Sequence, residues 1–295
     1  MQIFNILNLK PEIGGYFHFG NLQLAPVSLN VKQPKNSVRV LDELFDDGLV
    51  EVSEVHESGV VNSVRIKNNS VCHLIIFDND LIKGARQNRV AQTTFVVAPS
   101  QEAIAPVYCV ERNRWGYSEN RNFEKSAQKM GPKARQVKMQ MLRSEVSASA
   151  VQSSVWDEVE ELSDKFASYN HTSDLTQVLS QQDFEEEKSL RKFLEESDCH
   201  GFAVVAGQRR FVELFWHEAV CRKQVLKSVR AWLADAAMER TAVALSQTSL
   251  KSELQESVWV KAQAIAAEQP LDNQNLSGGR LTLLEDGFLH SYIAL

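Results

Sequence analysis

Two short segments hold the side chains best suited to chemistry. The first, Leu81-Ile-Lys-Gly-Ala-Arg-Gln-Asn-Arg89, ends in two amides and a guanidinium. The second, Pro106-Val-Tyr-Cys-Val-Glu-Arg-Asn-Arg-Trp115, ends an apolar run with a carboxylate, two arginines and an indole. Arg89 and Arg114 each offer a planar fork of donors suited to phosphate or carboxylate. Gln87 and Asn88 add amide donors and acceptors, Gly84 lets backbone approach closely, and Lys83 is a mobile point charge beside them. Glu111 is the best general base in the stretch. It lies three residues from Arg114, so the two sit on opposite faces of a strand but can pair in a turn. Trp115 and Tyr117 offer rings on which a base or ribose could stack. The bland reading of the same residues is a buried Glu111–Arg89 or Glu111–Arg114 ion pair that fastens two strands and holds no ligand. A lone tryptophan such as Trp115 is also more often core than ligand platform.

Charge points to the same region. The 295 residues carry a net charge of −6, but from Lys83 to Arg143 twelve basic residues face only four acids. A basic island in an acidic chain focuses field on anions. A solvated basic helix face would account for much of 125–143 by itself. RNA binding by 112–143 is disfavoured by the acidic total and by the few aromatics interleaved there.

Other chemistries lack their patterns. There is no GxGxxG, GxxxxGK[ST], HExxH or GxSxG segment. The seven histidines do not fall at metal-ligand spacings, and His18, His73 and His290 sit in apolar strands. Cys72, Cys109, Cys199 and Cys221 are scattered without CxxC spacing and are expected as reduced thiols. Neither a metal, a disulfide nor a cofactor is expected. No run approaches the roughly 18 apolar residues of a membrane span. The first fifteen residues lack the pattern of a signal peptide, so a cytoplasmic setting is expected.

The elements that must position these residues read as α+β. The first 115 residues are mostly strands: Gly15–Phe19, Leu22–Val27, Val50–Val55, Val60–Ile66, Val71–Phe77, Val90–Ala98 and Ile104–Val110, with a helix from Ser37 to Phe45. From Phe123 to Glu196 almost no strand signal remains. Helices are expected over Lys133–Ser147, with Val137, Met141 and Leu142 inward, from a Ser154 cap, and over 173–181 and 184–196. Phe202–Ala206 and Phe211–Phe215 form a hairpin around Gly207-Gln-Arg-Arg210. A long helix runs from His217 to about Arg240, and Val258–Ala266, Arg280–Leu284 and Phe288–Ile293 are strands again. On the hairpin, Phe211, Glu213 and Phe215 share a face. A buried acid there requires a partner, and the basic island at Lys83, Arg89 and Arg114 is the expected source.

The two motifs together, with the Trp156 helix, the 201–215 hairpin and Asp286-Gly-Phe-Leu-His290, resemble the ARPP family, named for association with ADP-ribosylglycohydrolases and rhodanese-phosphatases. The resemblance covers nearly the whole chain. It implies a single domain over 1–295, comprising a β-rich region (1–118), a helical region (119–200) and a closing hairpin, helix and strands (201–295). It also implies a link to ADP-ribose, NAD or related nucleotides. The chain departs from the family pattern at Glu213, where Asp is expected.

The combined expectation is a site that binds, and in its enzyme form processes, a small anionic ligand, a phosphate-containing nucleotide. Glu111 is the candidate catalytic residue, and Lys83, Gln87, Asn88, Arg89, Arg114, Trp115 and Glu213 bind the ligand. A non-catalytic sensing module and a purely structural ion-pair cluster stand as the alternatives. Whether the protein is an enzyme, and whether it forms a homo-oligomer, stay open at this stage; membrane and nucleic acid are not expected partners.

Overall fold

In the computed structural model the chain forms two compact units. One is built from Met1–Lys35 with Phe184–Leu295, the other from the intervening Asn36–Asp183. The structure describes residues 3–4, 11–30, 37–116, 122–239, 262–263, 274–276, 279–284 and 287–294. Tyr117, Arg121, most of the strand expected over Val258–Ala266, and the turns at Ser277-Gly278 and Asp286 lie outside the described residues. The class is α+β, and among the described residues no helix is long and apolar enough to cross a membrane.

The chain enters the first unit through β1 (Ile3–Phe4), β2 (Glu12–Ile13), β3 (Phe17–Phe19) and β4 (Leu22–Ser28). It then passes into the second unit at β5 (Val38–Val40) and α1 (Leu41–Asp46). The sequence pattern suggests one helix here from Ser37. Instead Val38–Val40 pair in parallel with His73–Ile75, so tertiary pairing wins over helical spacing until Leu41.

Next come β6 (Val50–Glu54), β7 (Ser63–Asn68), β8 (His73–Ile76), β9 (Asp80–Gly84), β10 (Arg89–Ala91), β11 (Phe95–Val97), β12 (Glu102–Cys109) and β13 (Phe123–Lys129). Six of them make a sheet in the order β13-β9-β10-β12-β7-β6, and β11-β8-β5 make a smaller one. The alternating apolar positions of β6, β7 and β12 (Val50 and Val52, Val64 and Ile66, Ala105 and Val107) enter one core with Leu41, Leu44, Leu74, Ile76, Val97 and Phe123. Each such fully buried aliphatic side chain contributes about 1.5–3 kcal/mol. The apolar run Val90–Ala98, expected as one strand, divides into β10 and β11, which belong to different sheets. β13 corrects the expectation of an all-helical stretch after Phe123. It ends the six-stranded sheet, and its exposed Glu124 and Lys125 give it a charged edge that propensity alone does not mark as strand.

Three helices complete the second unit: α2 (Pro132–Arg143), α3 (Ala148–Lys165) and α4 (Leu175–Ser180). α3 starts earlier than expected. Its N-cap is Ser147, which accepts from the Ala150 amide, while Ser154 lies inside the helix and donates to Val151 O at 2.8 Å. α2 is rotated relative to expectation. Val137, Met141 and Leu142 are only half-buried, and after Pro132 the buried positions are Ala134, Arg135, Lys138 and Met139.

The first unit resumes with α5 (Glu187–Glu196), β14 (Gly201–Ala206), β15 (Arg209–Phe215), α6 (Glu218–Met238), β16 (Ala262–Gln263), β17 (Gln274–Leu276), β18 (Gly279–Leu284) and β19 (Gly287–Ala294). The sheet order is β17-β18-β19-β15-β14-β4-β2, with β3 also on β4 and a separate β1-β16 pair. The expected hairpin is present, with a tighter turn of two residues, Gly207-Gln208. Gly207 sits at φ 61°, where glycine costs nothing. α6 packs on β4, β14 and β15 through Val225, Val229, Trp232 and Ala236. His217 caps it, its Nδ1 accepting from the Ala219 amide at 3.0 Å.

Candidate functional site

β10 and β12 are neighbours, with Arg89 opposite Cys109, so the ends of both motifs meet in the second unit. Past the end of β12 the chain turns, and Glu111 and Arg114 pair. Arg114 Nε and Nη2 hold the two Glu111 oxygens at 2.8 and 2.7 Å. Arg114 also donates to the carbonyls of Ala85 (2.7 Å), Gly116 (3.0 Å) and Gly84 (3.4 Å). Glu111 accepts in addition from the Asn88 amide at 3.1 Å, and Asn88 Oδ1 takes the Gly84 amide at 2.9 Å. Gly84 has φ 112°, a conformation suited to glycine, and an added Cβ there would strike Asn122 O.

Arg89 is completely buried. It donates to Gln87 Oε1 at 3.1 Å and Cys109 Sγ at 2.8 Å, and lies 3.5 Å from Glu54 Oε1. Gln87 in turn donates to Arg112 O at 3.4 Å. Trp115, about half exposed, has the Arg86 and Arg89 guanidinium carbons 5.8 and 5.7 Å from its ring. The Cys109 thiol is pushed up to about 11, chiefly by burial, with Glu54 and Glu111 adding to the rise and Arg89 opposing it. That makes it a poor nucleophile. The structure thus brings Gln87, Asn88, Arg89, Glu111, Arg114 and Trp115 together as a network whose donors and acceptors largely serve one another. Lys83 is half-buried on β9, opposite Glu124 of β13.

The basic island is also distributed differently in space than along the chain. Acids from outside the 83–143 window reach in to meet it: Glu54 at Arg89, Asp46 at Lys125, Asp80 at Lys129, Glu158 and Glu161 at Lys133, Asp78 at Arg135, and Glu160 at Arg112. A run that is strongly basic in one dimension is largely paired in three.

Part of this pairing is a buried network that sequence reasoning missed. Between β8 and β9 the chain turns at Phe77-Asp78-Asn79-Asp80, with Asn79 at φ 73°. Arg135 binds both Asp78 oxygens, its Nε at 2.8 Å, and Thr94 donates to Asp78 at 3.1 Å. Lys138 donates to Asn79 Oδ1 at 2.8 Å and to Ala91 O at 2.9 Å. Lys129 lies 3.5 Å from Asp80 and 4.9 Å from the Phe77 ring. Lys129, Arg135 and Lys138 are therefore interior groups, not a solvated face. The available signal was Asp-Asn-Asp set inside the apolar run Leu74–Ile82: three polar residues there mark a buried turn that must find partners.

Arg112 and Asn113 face a different environment. They line a cleft of about 240 Å³ together with Trp156, Glu160 and Asp164 of α3 and Tyr169 beyond it. The second motif positions them by a short antiparallel bridge, Glu111 to Asp174, reinforced by the Asn113 amide on Thr172 O at 3.0 Å and by Asn113 Nδ2 on Ser173 Oγ at 3.2 Å. Gln152 of α3 anchors the end of β12: its amide accepts from Cys109 N at 2.7 Å and donates to Cys109 O at 2.8 Å. The Arg112 guanidinium carbon lies 5.5 Å from the Trp156 ring. The Trp156 indole N–H is buried with no acceptor among the described residues.

Glu213 belongs to the first unit, where its partner is His290 Nε2 at 3.0 Å, both side chains being almost fully buried. The sequence reading was right that an acid between Phe211 and Phe215 needs a partner. The partner comes from β19, one strand over, rather than from Lys83, Arg89 or Arg114 as expected. Cys199 and Cys221 also lie in this unit. A hydrogen bond between them lowers the pKa of Cys199, while burial raises that of Cys221 well above the ordinary thiol range.

Across residues 10–292 the chain matches the ARG and Rhodanese-Phosphatase-superfamily-associated Protein domain, and it belongs to that family. Neither a curated protein nor a solved structure matches it.

Proposed function

We propose that this member of the family binds a nucleotide-type ligand of ADP-ribose or NAD metabolism in a cytoplasmic setting, and that its signature segment divides the work. Gln87, Asn88, Arg89, Glu111 and Arg114 act as a rigid frame. Arg112 and Asn113, carried on that frame, meet the ligand. The observation that carries this reading is the cleft itself, in which the outward pair of the family's own motif faces two aromatic residues, Trp156 and Tyr169. A volume of about 240 Å³ is below the roughly 300–1,000 Å³ of drug-sized sites, so the cleft suits one ring and a sugar rather than a whole dinucleotide.

The sensing-module reading is favoured over the enzyme reading by the position of Glu111. Both of its oxygens hold a guanidinium and one also takes a backbone amide, so it could act as a base only by giving up those partners. The test is a thermal-shift and calorimetric screen with NAD, ADP-ribose and AMP. Ligand at about 100 times its dissociation constant stabilises by about 2.7 kcal/mol. Asn113→Ala and Tyr169→Ala, both at exposed positions, should abolish that shift without changing the melting temperature of the ligand-free protein. If none of the three compounds shifts the wild type, the nucleotide reading is wrong.

A further inference from the structure

Among the described residues, the charged lining of the cleft is one cation, Arg112, and two carboxylates, Glu160 and Asp164. An acidic balance of this kind opposes a phosphate and favours a cation. The protein shows where such a cation sits. The Arg112 guanidinium, planar and delocalised, lies 5.5 Å over the Trp156 ring and 3.6 Å from Glu160. Both charged side chains are more than half exposed, so this pair is held loosely and a ligand can displace it. One helical turn on, Asp164 accepts a hydrogen bond from the Tyr169 hydroxyl, which raises the phenol pKa and places a second ring beside a second carboxylate.

Resting on the nucleotide reading above, we infer that the part of the ligand seated in this cleft is a planar aromatic cation joined to a sugar, such as an N-ribosyl pyridinium, and not the phosphate portion. The ring takes the place of the Arg112 guanidinium over Trp156, Glu160 and Asp164 balance its charge, and the exposed Asn113 side chain donates to polar atoms on the ring substituent or the sugar.

The test compares 1-methylnicotinamide, a cation, with nicotinamide, its neutral counterpart, and NAD in its oxidised and reduced forms, by titration calorimetry on the full chain. The cation of each pair should bind on the order of tenfold more tightly, and less so at 1 M salt. The Glu160→Gln, Asp164→Asn double variant should erase the preference. Arg112→Ala, which vacates the indole face, should strengthen 1-methylnicotinamide binding. These are exposed side chains, so unchanged melting temperatures serve as the control for folding. Equal binding of oxidised and reduced NAD overturns this inference and leaves the nucleotide reading standing. Binding of 1-methylnicotinamide with no response to any nucleotide supports the inference and removes the nucleotide reading. Indistinguishable 1-methylnicotinamide and nicotinamide, or a preference untouched by the double variant, overturns the inference.

Discussion

Within four consecutive residues the chain makes two opposite uses of the same chemistry. Glu111 and Arg114 turn inward, almost every donor and acceptor they carry is engaged, and the pair joins the turn after β9 to the end of β12. Arg112 and Asn113, between them, turn toward a cleft, and Arg112 meets only an indole face and a distant, exposed carboxylate among the described residues. Geometry rather than residue type separates frame from binding surface. A guanidinium is worth most to the fold where it is buried and bidentate, and most to a ligand where it is neither.

The sharpest way to break this comparison is to remove each arginine in turn. Arg114→Ala leaves the Glu111 carboxylate buried without its cation and should cost about 3–5 kcal/mol in urea-denaturation stability. If it costs no more than a surface substitution, the frame is not a frame. A smaller effect comes from the thiol at the inner edge. The folded Cys109 value of about 11 exceeds an ordinary thiol value near 9, so between these pH values the unfolded chain loses a proton that the folded chain keeps. Stability should therefore fall as pH rises through that window, by about 2–3 kcal/mol. Cys109→Ala should flatten that part of the stability profile relative to wild type; an identical slope in both would show that the thiol does not contribute. At the small end, Arg112→Ala should change stability by no more than about 0.5 kcal/mol. A loss comparable to that of Arg114→Ala would mean that the outward side is structural too.

Much of the fold was readable because apolar patterning and turn chemistry agreed: the 201–215 hairpin, β12, α4 and α6 follow their residues closely. The readings that failed did so where tertiary partners outvoted local pattern. α2 shows an apolar stripe at Val137, Met141 and Leu142, yet it buries Arg135 and Lys138 because the Asp78-Asn79-Asp80 turn supplies their partners from more than fifty residues away. Nothing within α2 announces that. At the site, the clustering of Gln87, Asn88, Arg89, Glu111 and Arg114 was legible from two motifs at the ends of apolar runs. Which of them would be saturated was not, because that depends on backbone carbonyls at Gly84, Ala85 and Gly116 brought close by the turns. The cleft was missed because its far wall lies on α3, and Arg112 and Asn113 are brought to it by the Glu111–Asp174 bridge and the Asn113 contacts with Thr172 and Ser173, pairings about sixty residues apart that neither motif announces.

The insertion of one unit within the other has a consequence for synthesis. β4 can pair at once with β2 and β3 along one edge, but the partner along its other edge is β14, Val27 lying opposite Gly201, and everything from Asn36 to Asp183 is made in between. On the ribosome, then, the inserted unit has its full complement of strands and helices while Leu22–Ser28 still waits with its apolar side chains uncovered. Because domains fold as units in the order in which they emerge, folding should run from the middle of the chain outward. The slow step is then the late closure of the first unit across this long separation, and β4 is the segment that a nascent-chain chaperone has most reason to shield.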